Sequence, residues 1–450
     1  YIVSSKSGST IEPLMLERVT WQYVADHLTV EGAAQRFVAI TEPGSKLEQL
    51  AQEKNYRFIL HPPTDLGGRY SALSVYGLFP LACVGINIEQ LISTAARMEQ
   101  RCAADSLDNP ALQLACFIYD HYRRGRDKIS LIMPKSGAVF GLWLEQLIAE
   151  SLGKQDIGVL PNVEIDPSNL HAAHEDRMII SYALGLTEGF EESLMHLDPS
   201  IPALHYRPDS VDELFDLFVL WEFTVALVGL LMEVNPFDQP NVEDTKKRVR
   251  SLLLGQGSDA PSEETAVTEQ ESDYREITFL EDGFVRSVWL SRAFIENTGL
   301  ELEDLSIDLI LRTLLGTLRC NDYFALNAFL PFRGYGRREA LERIRDYAAS
   351  RLGVAACLEI GPRYLHSIGQ FHKGGPNTGV YCFLSADEDE DIKIPGEEFT
   401  LGMLATTQAQ GDFLALAARG RRAIQIHLAS NDEETLSRFA DRFCLAVCAT

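Results

Sequence analysis

From its first residues the chain alternates short runs of branched and aromatic residues with longer runs whose apolar residues recur at helical spacing. That alternation is the strongest constraint on its fold. Tyr1-Ile2-Val3 precedes a helical pattern over residues 11–28; residues 36–40 (RFVAI) read as strand, 47–52 as helix and 56–60 (YRFIL) as strand again. Strand followed by helix predicts parallel strands joined by crossovers. The pattern resumes with helical runs at 88–102 and 111–124, a strand at 129–133, a helix at 140–152, a strand at 178–184 and a helix at 211–232. Residues 255–273 (GQGSDAPSEETAVTEQESD) are acidic and almost free of large apolar side chains, so they read as a linker. Beyond it residues 278–428 alternate once more, with a helix at 338–352 and a strand at 354–358.

A length of 450 residues exceeds what one core organises. The expected class is therefore α/β, with two doubly wound parallel-sheet units and a C-terminal α/β unit. Boundaries are expected at 1–106, 107–254, 255–273 and 274–450. The chain opens on a strand pattern without Met or signal peptide, which predicts a start inside a domain and an incomplete first unit.

A net charge of -25 opposes nucleic acid and anionic membrane as partners, so an anionic ligand would need a locally basic pocket. The eight cysteines are scattered, with no C-x-x-C pair and no zinc spacing. They read as reduced thiols of a cytoplasmic protein, and neither a metal nor an organic cofactor is expected. The most apolar window, residues 214–232, contains Asp216 and Glu222 and is flanked by Glu213 and Glu233, which favours a core helix over a membrane span.

Five stretches carry candidate chemistry. Residues 5–10 (SKSGST) sit between a strand and a helix start, where backbone N–H groups are free and the helix dipole favours anions. Ser5, Ser7, Ser9 and Thr10 add hydroxyls, Lys6 adds charge and Gly8 permits close approach; an ordinary helix cap remains open beside phosphate binding. Residues 67–71 (GGRYS) turn sharply and present Arg69, though on pattern alone a surface arginine is the favoured reading. Glu150, in ESLGK, lies near a helix C-terminus, where the dipole disfavours a carboxylate, and Gly153 reads as the stop signal. The segment FDQPNVEDTK opens a helix at Pro240 and carries Gln239 and Lys246, the latter reading as a solvated lysine on its own. Finally, PRYLHSIGQFHKGGPNTG places His366, His372, Lys373 and several glycines in one stretch, with His171 and His174 as rival imidazoles.

The hexapeptide 5–10 resembles the phosphate loop of the sugar isomerase (SIS) domain. With GGRYS, ESLGK and FDQPNVEDTK, the set resembles the glucose-6-phosphate isomerase family, whose segments read G-G-R-x-S, E-S-x-G-K and F-D-Q-x-x-V-E-x-x-K. In many bacterial members an L-H-S-x-G-Q segment lies between the last two, whereas here it follows both. That order is similar to the isomerase part of transaldolase/glucose-6-phosphate isomerase fusions. The resemblance implies two SIS-type units, with the transaldolase and the start of the isomerase upstream. It implies Glu150 as the base, Arg69 as the enediolate stabiliser, and His366 with Lys246 as the ring-opening pair. Gln239 would position the substrate, and Ser5, Lys6, Ser7, Ser9 and Thr10 would hold its phosphate. A homodimer without cofactor is implied. The rival readings are a non-catalytic sugar-phosphate sensor and an isomerase of another hexose phosphate.

Overall fold

Parallel strands dominate, as the alternation requires. The computed structural model describes residues 1–164, 175–183, 190–208, 213–240, 248, 273–278, 283–303, 305–330, 335–388 and 390–449. Lys246, His171, His174 and the linker up to residue 272 lie outside them. The chain divides into two compact units.

The first unit comprises Tyr1–Gln113, Asp209–Thr224 and Asp391–Leu401. Strands β1 (Ile2–Ser4), β2 (Val38–Ile40) and β3 (Phe58–Leu60) pair in parallel in that order. Val3, Val24, Phe37, Leu47 and Tyr56 form its core, with Trp21 packed against it. There the Oε1 of the buried Glu17 accepts from Lys54 Nζ at 2.7 Å and Tyr56 OH at 2.5 Å, while its Oε2 has no partner among the described residues. The helix Glu213–Leu231 has the length and apolar composition of a membrane span, and Leu220, Trp221, Val225 and Val228 within it are buried in the protein.

The second unit comprises Leu114–Pro208, Val225–Glu390 and Gly402–Thr450. Strands β4 (Lys128–Ile132), β5 (Leu160–Glu164), β6 (Arg177–Tyr182) and β7 (Ala203–Tyr206) form a parallel sheet in the order β5-β4-β6-β7. β4 and β6 are buried along their whole length, as strands covered on both faces are. The charges they bury are paired: Lys128 Nζ meets Asp127 at 2.7 Å and Asp176 at 2.9 Å, and Arg177 meets Glu164 at 3.2 Å. Pro161 in β5 has no N–H to donate, and β5 lies at a sheet edge, where the missing donor costs little.

A six-stranded sheet holds β8 (Tyr274–Thr278), β9 (Val285–Ser291), β10 (Tyr323–Phe329), β11 (Ala355–Ile360), β12 (Gly379–Ala386) and β13 (Arg422–Leu428), in the order β11-β10-β12-β13-β9-β8. Its first four strands are parallel; β9 runs antiparallel to β13 and β8 antiparallel to β9. Strand–helix alternation predicts only the parallel part, and the antiparallel pair is an edge extension of it. On one face Phe324, Leu326, Cys382 and Leu384 pack with Phe439 and Phe443 of the helix Glu433–Cys448. On the other, Tyr323, Tyr381 and Phe383 share a core with Phe371 and Phe413, and also with Ala149 and Leu160 of the four-stranded half. That shared core brings the helix that carries Glu150 against the C-terminal segment carrying His366.

Candidate active site

The helix Ala138–Leu152 delivers Glu150, and every residue of its last turn is buried. A helix stop at Gly153 leads one to expect a left-handed cap, but Gly153 has φ -85° and ψ 78°. Its need for glycine is steric: a Cβ there would stand 2.7 Å from both Ala149 O and Phe371 Cα. Phe371 belongs to the short helix Gly369–Gly374, which begins three residues after His366. Gln370 Nε2 donates to Gly153 O at 2.9 Å and fixes the approach.

Lys154 does more than suit a helix end. It is 2% exposed, and its Nζ donates to Asn235 O at 2.6 Å and to Asp238 O and Oδ1 at 2.7 Å each. The turn after Glu150 is thereby tied to the segment that carries Gln239, which is exposed. Its three oxygen partners lie more than eighty residues away in sequence, beyond the reach of any local pattern.

His366 ends the 3₁₀ turn Arg363–His366 and is half-buried. Its neighbours hold that turn to the helix of Glu150. Ser367 Oγ donates to Glu145 Oε1 at 2.9 Å, and Arg363 Nη1 reaches the same oxygen at 3.2 Å. Arg363 Nη2 reaches Glu359 Oε2 at 3.5 Å. Burial pushes both carboxyls above the ordinary glutamate value, most strongly for Glu359, and the Arg363 charge pulls against it. Glu145, Ser367 and Arg363 were not among the expected site residues, since a buried glutamate in an apolar helix announces a partner without naming it.

His372 and Lys373 of the same stretch serve the core. His372 is fully buried among Tyr323, Tyr364 and Tyr381, with ring centroids 5.0–6.0 Å away. Neither ring nitrogen has a partner among the described residues. Burial, with Lys373 and Arg421 nearby, pushes its pKa well down, so it stays neutral. Lys373 Nζ is paired with Asp412 at 2.5 Å, and both are buried.

In the first unit, residues 5–10 form a loop between β1 and the helix Ile11–His27. Thr10 occupies the cap position without a side-chain cap bond; its hydroxyl accepts from Ser5 Oγ at 3.4 Å. Ser7 Oγ and Ser9 Oγ lie 2.7 Å apart. Gly8 has φ +63°, and a Cβ would meet Leu47 N at 2.5 Å, so the turn requires glycine. Lys6 Nζ faces Glu42 Oε1 at 3.4 Å on the surface. Arg69 lies in the turn Gly68–Tyr70, 4% exposed, with its guanidinium 5.6 Å from the Tyr70 ring centroid, which corrects the surface-arginine reading. Glu150, Gln239 and His366 thus share the second unit, while residues 5–10 and Arg69 belong to the first. No cluster of three or more His, Cys, Asp or Glu suited to a metal occurs among the described residues.

No protein-family model matches the chain. It is similar to the glucose-6-phosphate isomerase of Alkaliphilus metalliredigens, 32% identical over 294 residues, covering 56% of this chain and 65% of that protein. It is equally similar to the glucose-6-phosphate isomerase of Staphylococcus aureus strain Mu3, 32% identical over 295 residues, 56% of this chain and 66% of the relative. Among solved structures it resembles a glucose-6-phosphate isomerase from Chlamydia trachomatis at a TM-score of 0.48 and 21% identity, over 58% of this chain and 60% of that one. The chain therefore spans just under two thirds of the length of the curated relatives it matches, and its likeness to them is a likeness to glucose-6-phosphate isomerases.

Proposed function

We propose that the chain interconverts glucose 6-phosphate and fructose 6-phosphate, as the isomerase part of a transaldolase fusion. The observation that carries this reading is the meeting of three remote segments, ESLGK, NPFDQ and LHSIGQ, through Lys154, Gln370 and the Ser367–Glu145 pair. A module that only binds sugar phosphate has no need to converge a carboxylate, an imidazole turn and an F-D-Q segment. The names of the relatives support the same reaction, and the order of the segments supports the fusion.

The chemistry needs a base near C1 and C2 and positive charge near the two oxygens. In this reading His366 and Lys246 open the ring, one taking the anomeric proton and the other protonating the ring oxygen. Glu150 then removes the proton from C2 of the open aldose. The C–H electron pair moves into the C1–C2 bond and the C1 carbonyl becomes an enediolate oxygen, with Arg69 assigned to stabilise it. A proton passes from the C2 hydroxyl to the C1 oxygen, the proton held by Glu150 returns to C1 as the C2 carbonyl forms, and closure to the ketose completes the cycle. Ser5, Lys6, Ser7, Ser9 and Thr10 are assigned to the phosphate, and Gln239 to positioning the substrate.

The direct test is turnover of fructose 6-phosphate by the full-length protein, followed as glucose 6-phosphate formed. Saturable turnover abolished by Glu150→Gln supports the assignment; binding of fructose 6-phosphate without any turnover would make the protein a sensor.

A further inference from the structure

The second unit contains a basic pocket outside the proposed catalytic set. Its volume is about 370 Å³, and Gln155, Asp156, Asn377, Arg419 and Arg421 are among its lining residues. On a chain of net charge -25, the described lining residues include two arginines and one carboxylate, and Arg419 Nη1 donates to Ala415 O at 3.4 Å. Lys373 also borders the pocket, but its ammonium is engaged by Asp412 at 2.5 Å and Gly369 O at 3.1 Å.

Arg421 is the informative member. It is 2% exposed, so its charge has been taken out of water and needs compensation. Its Nη2 donates to the carbonyls of Lys373 at 3.0 Å and Gly375 at 2.7 Å. The Asp156 carboxylate is 3.9 Å away and 88% exposed, too distant for a hydrogen bond, and Arg421 Nε has no partner among the described residues. Carbonyl dipoles orient this guanidinium without neutralising it. A planar cation held in this way beside a second arginine suits an oxyanion, which can accept several charge-assisted hydrogen bonds at once. Asn377, whose Nδ2 donates to Gly420 O at 3.3 Å, adds an exposed amide.

We propose that this pocket binds the oxyanion group of a small metabolite, a phosphate or a carboxylate, through Arg421, Arg419 and Asn377. It lies on the two residues that follow Lys154, and Asp156 N donates to Gly374 O at 2.9 Å, so a bound anion sits beside the turn after Glu150. The proposal stands whether or not the chain is an isomerase.

Calorimetric titration at low ionic strength with inorganic phosphate and, separately, with citrate tests it. Arg419→Gln is expected to weaken binding of the active probe by about tenfold or more, the loss of a charged hydrogen-bond donor. Asp156→Asn is expected to tighten it roughly two- to fivefold, because the opposing carboxylate is removed. Asp156 has φ +60°, a conformation asparagine adopts readily, and the residue is exposed, so this variant keeps the fold. Repeating the phosphate titrations in a Ser5→Ala/Thr10→Ala background removes any contribution from the loop at residues 5–10, and the opposite responses should persist there. A response with phosphate alone or with citrate alone identifies the group. Isotherms for both probes that ignore Arg419→Gln and Asp156→Asn, or no saturable binding of either probe, overturn the proposal, whatever happens at residues 5–10.

Discussion

Ser367 Oγ donates to Glu145 Oε1 at 2.9 Å, joining the residue after His366 to the helix that carries Glu150, across 222 positions of sequence. The acceptor is a buried carboxyl group that also holds Arg363, so removing the hydroxyl leaves a buried acceptor short of a donor. Ser367→Ala is expected to destabilise the fold by about 1–3 kcal/mol and to lower kcat of the proposed isomerisation by roughly tenfold through a loosened His366 turn. Ser367→Thr keeps the hydroxyl and should restore most of both. Parallel denaturation and steady-state assays measure the two effects; an unchanged kcat in Ser367→Ala would confine the pair to stability.

Glu150 and His366 are expected to separate by chemical step. Glu150→Gln should lower turnover by about 10² to 10⁴ while substrate still binds, the usual contribution of a general base. His366→Ala should cripple turnover of cyclic glucose 6-phosphate yet spare exchange of the C2 proton in an open-chain analogue, read by solvent deuterium incorporation. Loss of that exchange in His366→Ala would remove the ring-opening role.

The loop at residues 5–10 should act on affinity. Replacing both Ser5 and Thr10 with alanine deletes two hydroxyls and leaves the cap bond count of the helix unchanged, since Thr10 makes no side-chain cap bond. KM for the sugar phosphate should rise roughly tenfold or more, with a much smaller change for a substrate analogue lacking the phosphate. Equal losses for both compounds would mean that the loop supports the fold alone.

Glu222 predicts a pH dependence of stability. Burial pushes its carboxyl from the ordinary 4.5 up to about 8, and its Oε1 has no partner among the described residues. Between those values the folded chain keeps a proton that the unfolded chain releases. Stability from this group is therefore full below pH 4.5 and falls as pH rises towards 8. The loss is expected to be roughly 2–3 kcal/mol. Glu222→Gln should flatten that slope and stabilise the protein at pH 8 to 9, as read from denaturation midpoints across pH.

Gly153→Ala tests the close approach. The backbone angles there suit any residue, so the cost comes only from the contacts at 2.7 Å with Ala149 O and Phe371 Cα. A loss of about 1–3 kcal/mol is expected, together with a lower kcat. A fully stable variant would show that the helix Gly369–Gly374 can shift away without consequence.

The α/β class followed from sequence because helical and strand periodicities depend on residues a few places apart. The loop at residues 5–10 and its Gly8 were legible for the same reason: a strand, a turn needing positive φ and a helix start are local. Gly153 was legible as glycine, though for the wrong cause, since the left-handed cap is a local expectation and the packing of Phe371 is not. Strand β5 was missed because Pro161 counts against a strand, and only the sheet shows that it lies at an edge. Within the candidate site, tertiary structure decided which polar residues are enclosed by the core and which are not. His366 and His372 are six residues apart in one suggestive stretch, yet His372 is enclosed by three tyrosines while His366 ends a half-buried turn. Lys154 and Lys373 are both buried lysines; one joins two remote segments and the other neutralises Asp412. A sequence states which groups can ionise or donate, but desolvation and the choice of partner depend on which distant segments fold against them, and that was settled only by packing.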